Sequence, residues 1–308
     1  MHIKKGFQQR IMSLSGNKKI TRAVIPAAGF GTRFLPFTRA VPKEMIPLVD
    51  KPVIQYVVEE AAAAGITDIL IITSSGKEAM QNHFLPDNEL ESRLLATGKT
   101  ELLADLKKIQ SLARLTFVEQ KVLNGLGGAL MLAEEFANGE PFAVLLGDTV
   151  VKSNNAIPAI GQLIKCHEQY NLPVTGLERV PRERISNYGV VSGKMVAHNV
   201  MQISGLVEKP RPEEAPSDLA IASRYVLVPE IFEYLKKSPA HGAAGEIYLT
   251  DALLMQSAAN GLMGCITDAK RYDIGNKLEF LKATVEFGLQ SEVYGEAFRK
   301  FLNELPQK

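Results

Sequence analysis

"AVIPAAGFGTRFLPFTRAVPKEMIPLVDKP", residues Ala23–Pro52, is the most informative stretch of this 308-residue chain. It opens with a short apolar run, Ala23-Val24-Ile25, and breaks into a loop holding Gly29, Gly31, Arg33, Arg39 and Lys43. Pro36, Pro42 and Pro47 stiffen the rest of the stretch. Two familiar phosphate loops are excluded by position. A dinucleotide fingerprint from Gly29 needs glycine where Phe34 stands, and a Walker loop needs Gly-Lys-Ser/Thr where the chain reads Phe34-Leu35-Pro36. What remains is a strand, a tight glycine turn and cations. Gly29 and Gly31 let the backbone approach a ligand, and their N–H groups can face phosphate oxygens. Arg33 offers a rigid two-pronged donor and Lys43 a mobile point charge. The prolines limit the entropy lost when such a loop orders. A turn flanked by solvated cations accounts for any one of these residues. It does not account for the cluster directly after a strand, which points to phosphate binding.

Outward from this stretch, short β-rich runs alternate with helical patterns. Thr21–Pro26 predicts a strand. Residues 52–64 predict a helix with Pro52 in its first turn and Gly65 as its stop. Asp68–Thr73, Leu115–Gln120 and Phe142–Asp148 read as further strands, and Gly128–Phe136 as a helix. Apolar strands separated by helices indicate a parallel sheet covered on both faces. The polar segment Asp87–Ser111 predicts a helical insertion. Beyond Asp148 the pattern changes. A helix over Ala156–Tyr170 precedes antiparallel strands turning at Ser192-Gly193 and His198-Asn199, then a strand at Val226–Val228. Helices follow at Ile247–Ala259 and Lys277–Gly288.

Composition narrows the function classes. Apolar residues make up 46% and charged residues 22%, as in a globular protein with a sizeable core. Thirty-five Lys and Arg against 34 Asp and Glu leave a net charge of +1, which argues against nucleic-acid binding through overall charge. No run reaches the roughly 18 apolar residues of a membrane span. Cys166 and Cys265 form no CxxC pair, which suggests reduced, cytoplasmic usage. The basic start, "MHIKKGFQQRIMSLSGNKK", lacks the apolar centre of a secretory signal and reads either as a flexible extension over residues 1–19 or as a stretch ahead of a natural start at Met12.

"AAGFGTRFLPFTRAVPKEMIPLVDKPVIQY" closely resembles the G-x-G-T-R-x-L-P…P-K signature of the sugar-1-phosphate nucleotidyltransferases. "VPKEMIPLVDKPVIQYVVEEAAAAGI" is most similar to their bacterial UTP–glucose-1-phosphate uridylyltransferase branch. The resemblance runs from about Thr21 to about Phe298, through "YGVV", "VEKP", "EIYLTDAL" and "YDIGNKLEF". It implies a Rossmann-like, mostly parallel central sheet flanked by helices, with an antiparallel sugar-binding elaboration and C-terminal helices. The nucleotidyltransferase domain would span residues 20–290 and a helical tail 291–308.

The resemblance also implies roles. Ala27, Ala28, Gly29, Gly31 and Thr32 belong to the nucleotide loop, with Arg33, Lys43 and Lys209 as the catalytic cations. Asp148 ends the apolar run "LLGD", and ligands of open parallel sheets lie beyond strand carboxyl ends, so its carboxylate faces the nucleotide side. Mg²⁺ prefers one or two carboxylates with phosphate oxygens and water. Asp148 and, by family pattern, Asp273 would hold it, although a helix cap or turn explains a lone Asp equally. Glu208 would accept from sugar hydroxyls, and Gly189 would let a hexose lie against the backbone. A surface ion pair is the plainer account of adjacent Glu208 and Lys209. "EQKVLNGLGGA" aligns with the base-recognition stretch, where Gln120 would pair with uracil and Gly125 would present its backbone. Here the sequence departs from the family, with Gly128 where histidine is expected, and this implies a more open base site.

The implied reaction joins UTP and glucose 1-phosphate into UDP-glucose and pyrophosphate. A homodimer or homotetramer is the implied assembly, with neither nucleic acid nor membrane as partner. A thymidylyltransferase shares the chemistry with a different base pocket. A sugar-nucleotide-binding paralogue without turnover would be expected to have lost Arg33 or Asp148.

Overall fold

A computed structural model of the chain describes residues 19–306, so the expected extension at residues 1–19 lies, Lys19 apart, outside the described residues. The early apolar runs become neighbouring parallel strands: β1 (Arg22–Pro26), β2 (Asp68–Thr73), β3 (Arg114–Glu119) and β4 (Phe142–Leu145). Their side chains alternate between two cores, as the pleat requires. Ala23, Ile25, Ile69, Ile71, Ala143 and Leu145 enter one, and Val24, Leu70, Ile72, Phe142 and Val144 enter the other. Each buried Val, Leu, Ile or Phe side chain among them contributes about 1.5–3 kcal/mol, which is why apolar runs without alternation are stable here.

Helix α1 (Val53–Ala63) starts just after Pro52, which is the extended N-cap residue rather than part of the first turn. After α2 (Glu78–Phe84), the polar insertion forms two helices, α3 (Asn88–Ala96) and α4 (Thr100–Gln110). Asp87 caps the first of them, its Oδ1 accepting from the Leu90 N–H at 3.0 Å. The helix expected over Gly128–Phe136 begins earlier and divides into α5 (Gly125–Met131) and α6 (Glu134–Ala137). At Ala133 the N–H turns to Leu130 O at 2.9 Å, a three-residue step that interrupts the helix. Helix α7 (Ala159–Tyr170) starts later than expected because Pro158 holds Ile157 out of helical backbone.

The second half of the sheet is built from β5 (Val174–Arg179), β6 (Gly189–Ala197), β7 (Val200–Glu208), β8 (Leu219–Leu227) and β9 (Met263–Ile266). The order is β3-β2-β1-β4-β8-β5-β9-β7-β6. Strand β8 is much longer than the three residues read from sequence, and all nine of its residues are buried. It lies antiparallel between β4 and β5. The sheet is therefore parallel over its first four strands and mixed beyond them, where the expected antiparallel elaboration lies. Helices α8 (Ile231–Lys237) and α9 (Leu249–Ala259) cover one face, and α1 and α7 the other. The helix expected from Ile247 starts at Leu249 because Glu246-Ile247 forms a short strand.

A separate ribbon pairs Thr149–Ser153 with Ala269–Asp273, setting Thr149 opposite Asp273. Its Val150 and Tyr272 join Ile46, Leu48 and Ala283 in a third core under α10 (Lys277–Gln290). This core ties the segment after the glycine loop to the ribbon. Helix α11 (Gly295–Glu304) packs on α10, where the Phe298 ring lies so close to Gly288 that a Cβ there would be 2.9 Å from it. Among the described residues no helix is long and apolar enough to cross a membrane.

Candidate active site

The four parallel strands end together at Pro26, Thr73, Glu119 and Leu145, and the predicted site residues lie beyond those ends. Backbone links hold the exits in register. Ala27 N–H donates to Ile72 O at 2.7 Å, Gln120 N–H to Thr73 O at 2.8 Å, and Gly147 N–H to Pro26 O at 3.2 Å.

Three short 3₁₀ turns follow β1, at Thr32–Phe34, Phe37–Arg39 and Lys43–Met45. Gly31 sits at φ 65°, and a Cβ there would lie 3.1 Å from both Lys43 Cβ and Thr38 Cγ2. Left-handed backbone and close packing together require glycine at this position. The Thr38 hydroxyl closes the turn by donating to Gly31 O at 2.8 Å. This folds the loop back so that Lys43 lies under Gly29, with Nζ 3.6 Å from where a Gly29 Cβ would stand.

Lys43 Nζ donates to Asp148 Oδ2 at 2.5 Å. Burial works to lower the Lys43 pKa, but the carboxylates of Asp148 and Glu44 outweigh it and hold it above its ordinary value. Burial pushes the Asp148 carboxyl up, and Lys43, with help from Arg33, brings it below the usual carboxylate range. Asp273 is pushed up, first by burial and then by the Asp148 charge, against the pull of Arg271 and Arg33. Gly275 marks where these groups converge. A Cβ there would lie 3.0 Å from Asp273 Oδ1, 3.3 Å from Asp148 Oδ2 and 3.8 Å from Arg33 Nη1. Two carboxylates facing one side-chain-free spot suit a hard divalent cation that draws its remaining oxygens from phosphate and water. Among the described residues no third carboxylate, imidazole or thiol joins them.

Asp148, Asp273, Arg33 and Lys43 therefore converge, with Ala27–Thr32 as the adjoining loop. Gly189 and Glu208 form a second group, paired across β6 and β7, and a Gly189 Cβ would meet Glu208 Oε2 at 3.2 Å and Thr250 Cγ2 at 3.0 Å. Lys209 is exposed in left-handed backbone at φ 46°, with Nζ 3.4 Å from Glu208 Oε1. Gln120 and Gly125 form a third group. Gly125, at φ 86°, lies against Ile247, whose N–H donates to Asn124 O at 2.8 Å. The segment 246–250 thus touches both of these outer groups. The opening expected at Gly128 does not exist. The Asn124 carboxamide fills it, and a Cβ on Gly128 would lie 1.8 Å from Asn124 Oδ1.

A glycine-turn strand exit, cations against a carboxylate and a paired acid are the parts of a nucleotide-handling site, and the comparisons agree. The profile described as "Nucleotidyl transferase" matches residues 22–288. The chain belongs to the nucleotidyl transferase family. UTP–glucose-1-phosphate uridylyltransferase 2 of Staphylococcus saprophyticus is 46% identical over 288 residues, covering 94% of this chain and 99% of that protein. A UTP-bound UGPase from Acinetobacter baumannii superposes with a TM-score of 0.87 at 35% identity, covering 93% of this chain and all of the other. A UDP-glucose pyrophosphorylase complexed with UDP-glucose gives a TM-score of 0.81 at 36% identity, over 88% of this chain and all of the other.

Two buried ion pairs of this nucleotidyl transferase site escape a reading of the sequence. Lys77, after β2, donates from Nζ to Ala27 O at 2.6 Å, to Gly29 O at 2.7 Å, and to the Glu44 carboxylate at 2.9 and 3.1 Å. It clamps the glycine loop to the Lys43 turn. Burial lowers its pKa, and Glu44 opposes that shift. Arg224, fully buried in β8, binds Glu60 of α1 through Nε and Nη2 and donates to Thr149 O at 2.9 Å. It fixes the residue next to Asp148. The signals were present: Gly76-Lys77 repeats the strand-glycine-cation order of the first loop, and Arg224 is a lone charge in an apolar run.

Proposed function

We propose that the chain is a UTP–glucose-1-phosphate uridylyltransferase, forming UDP-glucose and pyrophosphate. The observation that carries this reading is the convergence of Asp148, Lys43, Asp273 and Arg33 beyond the carboxyl ends of the parallel strands. The names of the relatives at 46% and 36% identity support the substrates.

The phosphate of glucose 1-phosphate is already an anionic nucleophile, so the reaction needs no general base. One of its oxygens forms a bond to the α-phosphorus of UTP. The bond from that phosphorus to the bridging oxygen breaks, and pyrophosphate leaves with the electron pair. Catalysis is then alignment and charge neutralisation. Arg33 holds the departing pyrophosphate, Lys43 contacts the phosphates, and exposed Lys209 steers the sugar phosphate. The loop from Ala27 to Thr32 cradles the nucleotide through its amides. Glu208 accepts from sugar hydroxyls beside Gly189, while Gln120 and Gly125 meet the base. Asp148 and Asp273 hold Mg²⁺, which when bound supplies Lewis-acid screening of phosphate charge.

The same reading makes the enzyme cytoplasmic, which suits its two free cysteines. It also makes the enzyme a homodimer or homotetramer. Exposed Leu278, Leu281 and Val285 along one side of α10 support self-association.

Pyrophosphate release measured with UTP, dTTP, CTP, ATP and GTP, each against a panel of hexose 1-phosphates, tests the reading. UTP with glucose 1-phosphate should give the highest kcat/KM, with measurable dTTP activity and little with the others. A tenfold preference for dTTP would make the chain a thymidylyltransferase, and no release from any pair would make it a binding protein.

A further inference from the structure

Gln120 is buried, and its backbone is fixed by the hydrogen bond to Thr73 O. Its side-chain nitrogen carries two hydrogens, and both are committed within its own loop. Nε2 donates to Asn124 Oδ1 at 3.1 Å and points its second hydrogen at Gly125 O, 3.4 Å away. Gly125 O can only accept, so rotating the amide would set one oxygen against another. Among the described residues no hydrogen bond engages Gln120 Oε1, and that oxygen is not among the buried polar atoms left without a partner. The side chain therefore presents an acceptor and no donor.

Asn124 can occupy this position only because residue 128 has no side chain. A Cβ on Gly128 would lie 1.8 Å from Asn124 Oδ1, 2.3 Å from Cγ and 2.7 Å from Nδ2. Asn124 and Gly128 are interlocked, and Gln120 depends on both.

We infer that Asn124 is a specificity-determining positioning residue. By holding Gln120 Nε2 it leaves Oε1 to face the nucleobase, so the loop selects a pyrimidine with an imino N–H. Uracil and thymine offer that donor at N3. Cytosine has a bare lone pair there, and setting it against Oε1 places two acceptors together with no proton between them. Released from Asn124, the Gln120 amide can turn and offer Nε2 to cytosine N3. The inference rests on the reading of Gln120 as the base contact.

The experiment measures kcat/KM for UTP and CTP, with glucose 1-phosphate saturating, in the wild type and three variants. Asn124→Ala removes the acceptor, Gly128→Ala expels the Asn124 side chain, and Asn124→Asp keeps an acceptor oxygen in place. Asn124→Ala and Gly128→Ala should each lower the UTP-over-CTP ratio by about tenfold or more, the scale of one buried hydrogen bond made or broken. Asn124→Asp should retain the ratio, which general loosening of the loop would not allow. Melting temperatures check folding, and Asn124→Ala, which adds no atoms, stands if Gly128→Ala is sterically refused. A wild-type preference for UTP that survives both alanine variants overturns the inference alone, as does loss of the ratio in Asn124→Asp equal to that in Asn124→Ala. A wild type without any preference for UTP over CTP overturns the base-contact reading and this inference with it.

Discussion

Replacing Lys77 by methionine keeps the length of the side chain and removes its charge. In the wild type the ammonium is bound to two loop carbonyls and to both oxygens of Glu44, whose side chain is fully buried. Without it the nearest cation to that carboxylate among the described residues is Lys43 Nζ, 4.0 Å away and already bonded to Asp148. Removing one partner of a buried ion pair costs about 3–5 kcal/mol, because the other charge stays behind without compensation. A chain with ordinary stability has about 5–15 kcal/mol in total, so the melting temperature should fall on the order of 10 °C. The protein has no tryptophan, so thermal unfolding is best followed by far-UV circular dichroism.

The diagnostic comparison is the double variant Lys77→Met/Glu44→Met, which removes both charges. It should be more stable than Lys77→Met alone, since the cost lies in the orphaned carboxylate rather than in the missing pair. A functional signature should accompany the loss of stability. In a trans peptide the C=O and N–H point in opposite directions, so Lys77, by drawing in Ala27 O and Gly29 O, turns the N–H groups of Ala28 and Phe30 away from itself. With that hold gone the KM for UTP should rise more than the KM for glucose 1-phosphate. A drop of less than 2 °C, or a double variant no more stable than the single one, would refute the reasoning.

Asp148→Asn should lower kcat on the order of 10²-fold or more while the circular dichroism spectrum is unchanged, since on the proposed function it removes a preorganised charge beside the reacting phosphates. Near-wild-type turnover would remove Asp148 from the site. Glu208→Ala should raise the KM for glucose 1-phosphate roughly 10-fold or more, the scale of hydrogen bonds to a charged group, and leave the KM for UTP nearly unchanged. Equal effects on both substrates would count against a sugar contact. Dialysis against EDTA should abolish pyrophosphate release and added Mg²⁺ should restore it, whereas activity that resists chelation would contradict the assignment of Asp148 and Asp273 to a metal.

Local pattern along the chain determines the early strands and the edge at which the site forms. The runs Ala23-Val24-Ile25, Asp68–Thr73 and Phe142–Leu145 are apolar on both faces, and a strand of that kind has no stable place except inside a covered sheet. The glycine turn and Asp148 follow those strands closely, so strand direction brings them to one edge, and Lys43 returns to it through the Gly31 turn that Thr38 closes. Long-range register is not written locally. Nothing within "LAIASRYVL" says that β8 enters the sheet antiparallel beside β4, because its apolar residues suit either direction. Arg224 finds Glu60 across 164 residues, Lys77 finds Glu44 and Ala27, and Asp273 reaches Asp148 through a ribbon whose partner strand lies more than a hundred residues away. Gly128 read from sequence as an opening is closed in the fold, because a neighbour one helical turn away supplies the missing volume. Periodicity reports which face of an element is buried. Only the packed chain determines which distant charge or side chain shares that burial, since a buried polar group is stable solely where a partner of matching geometry meets it.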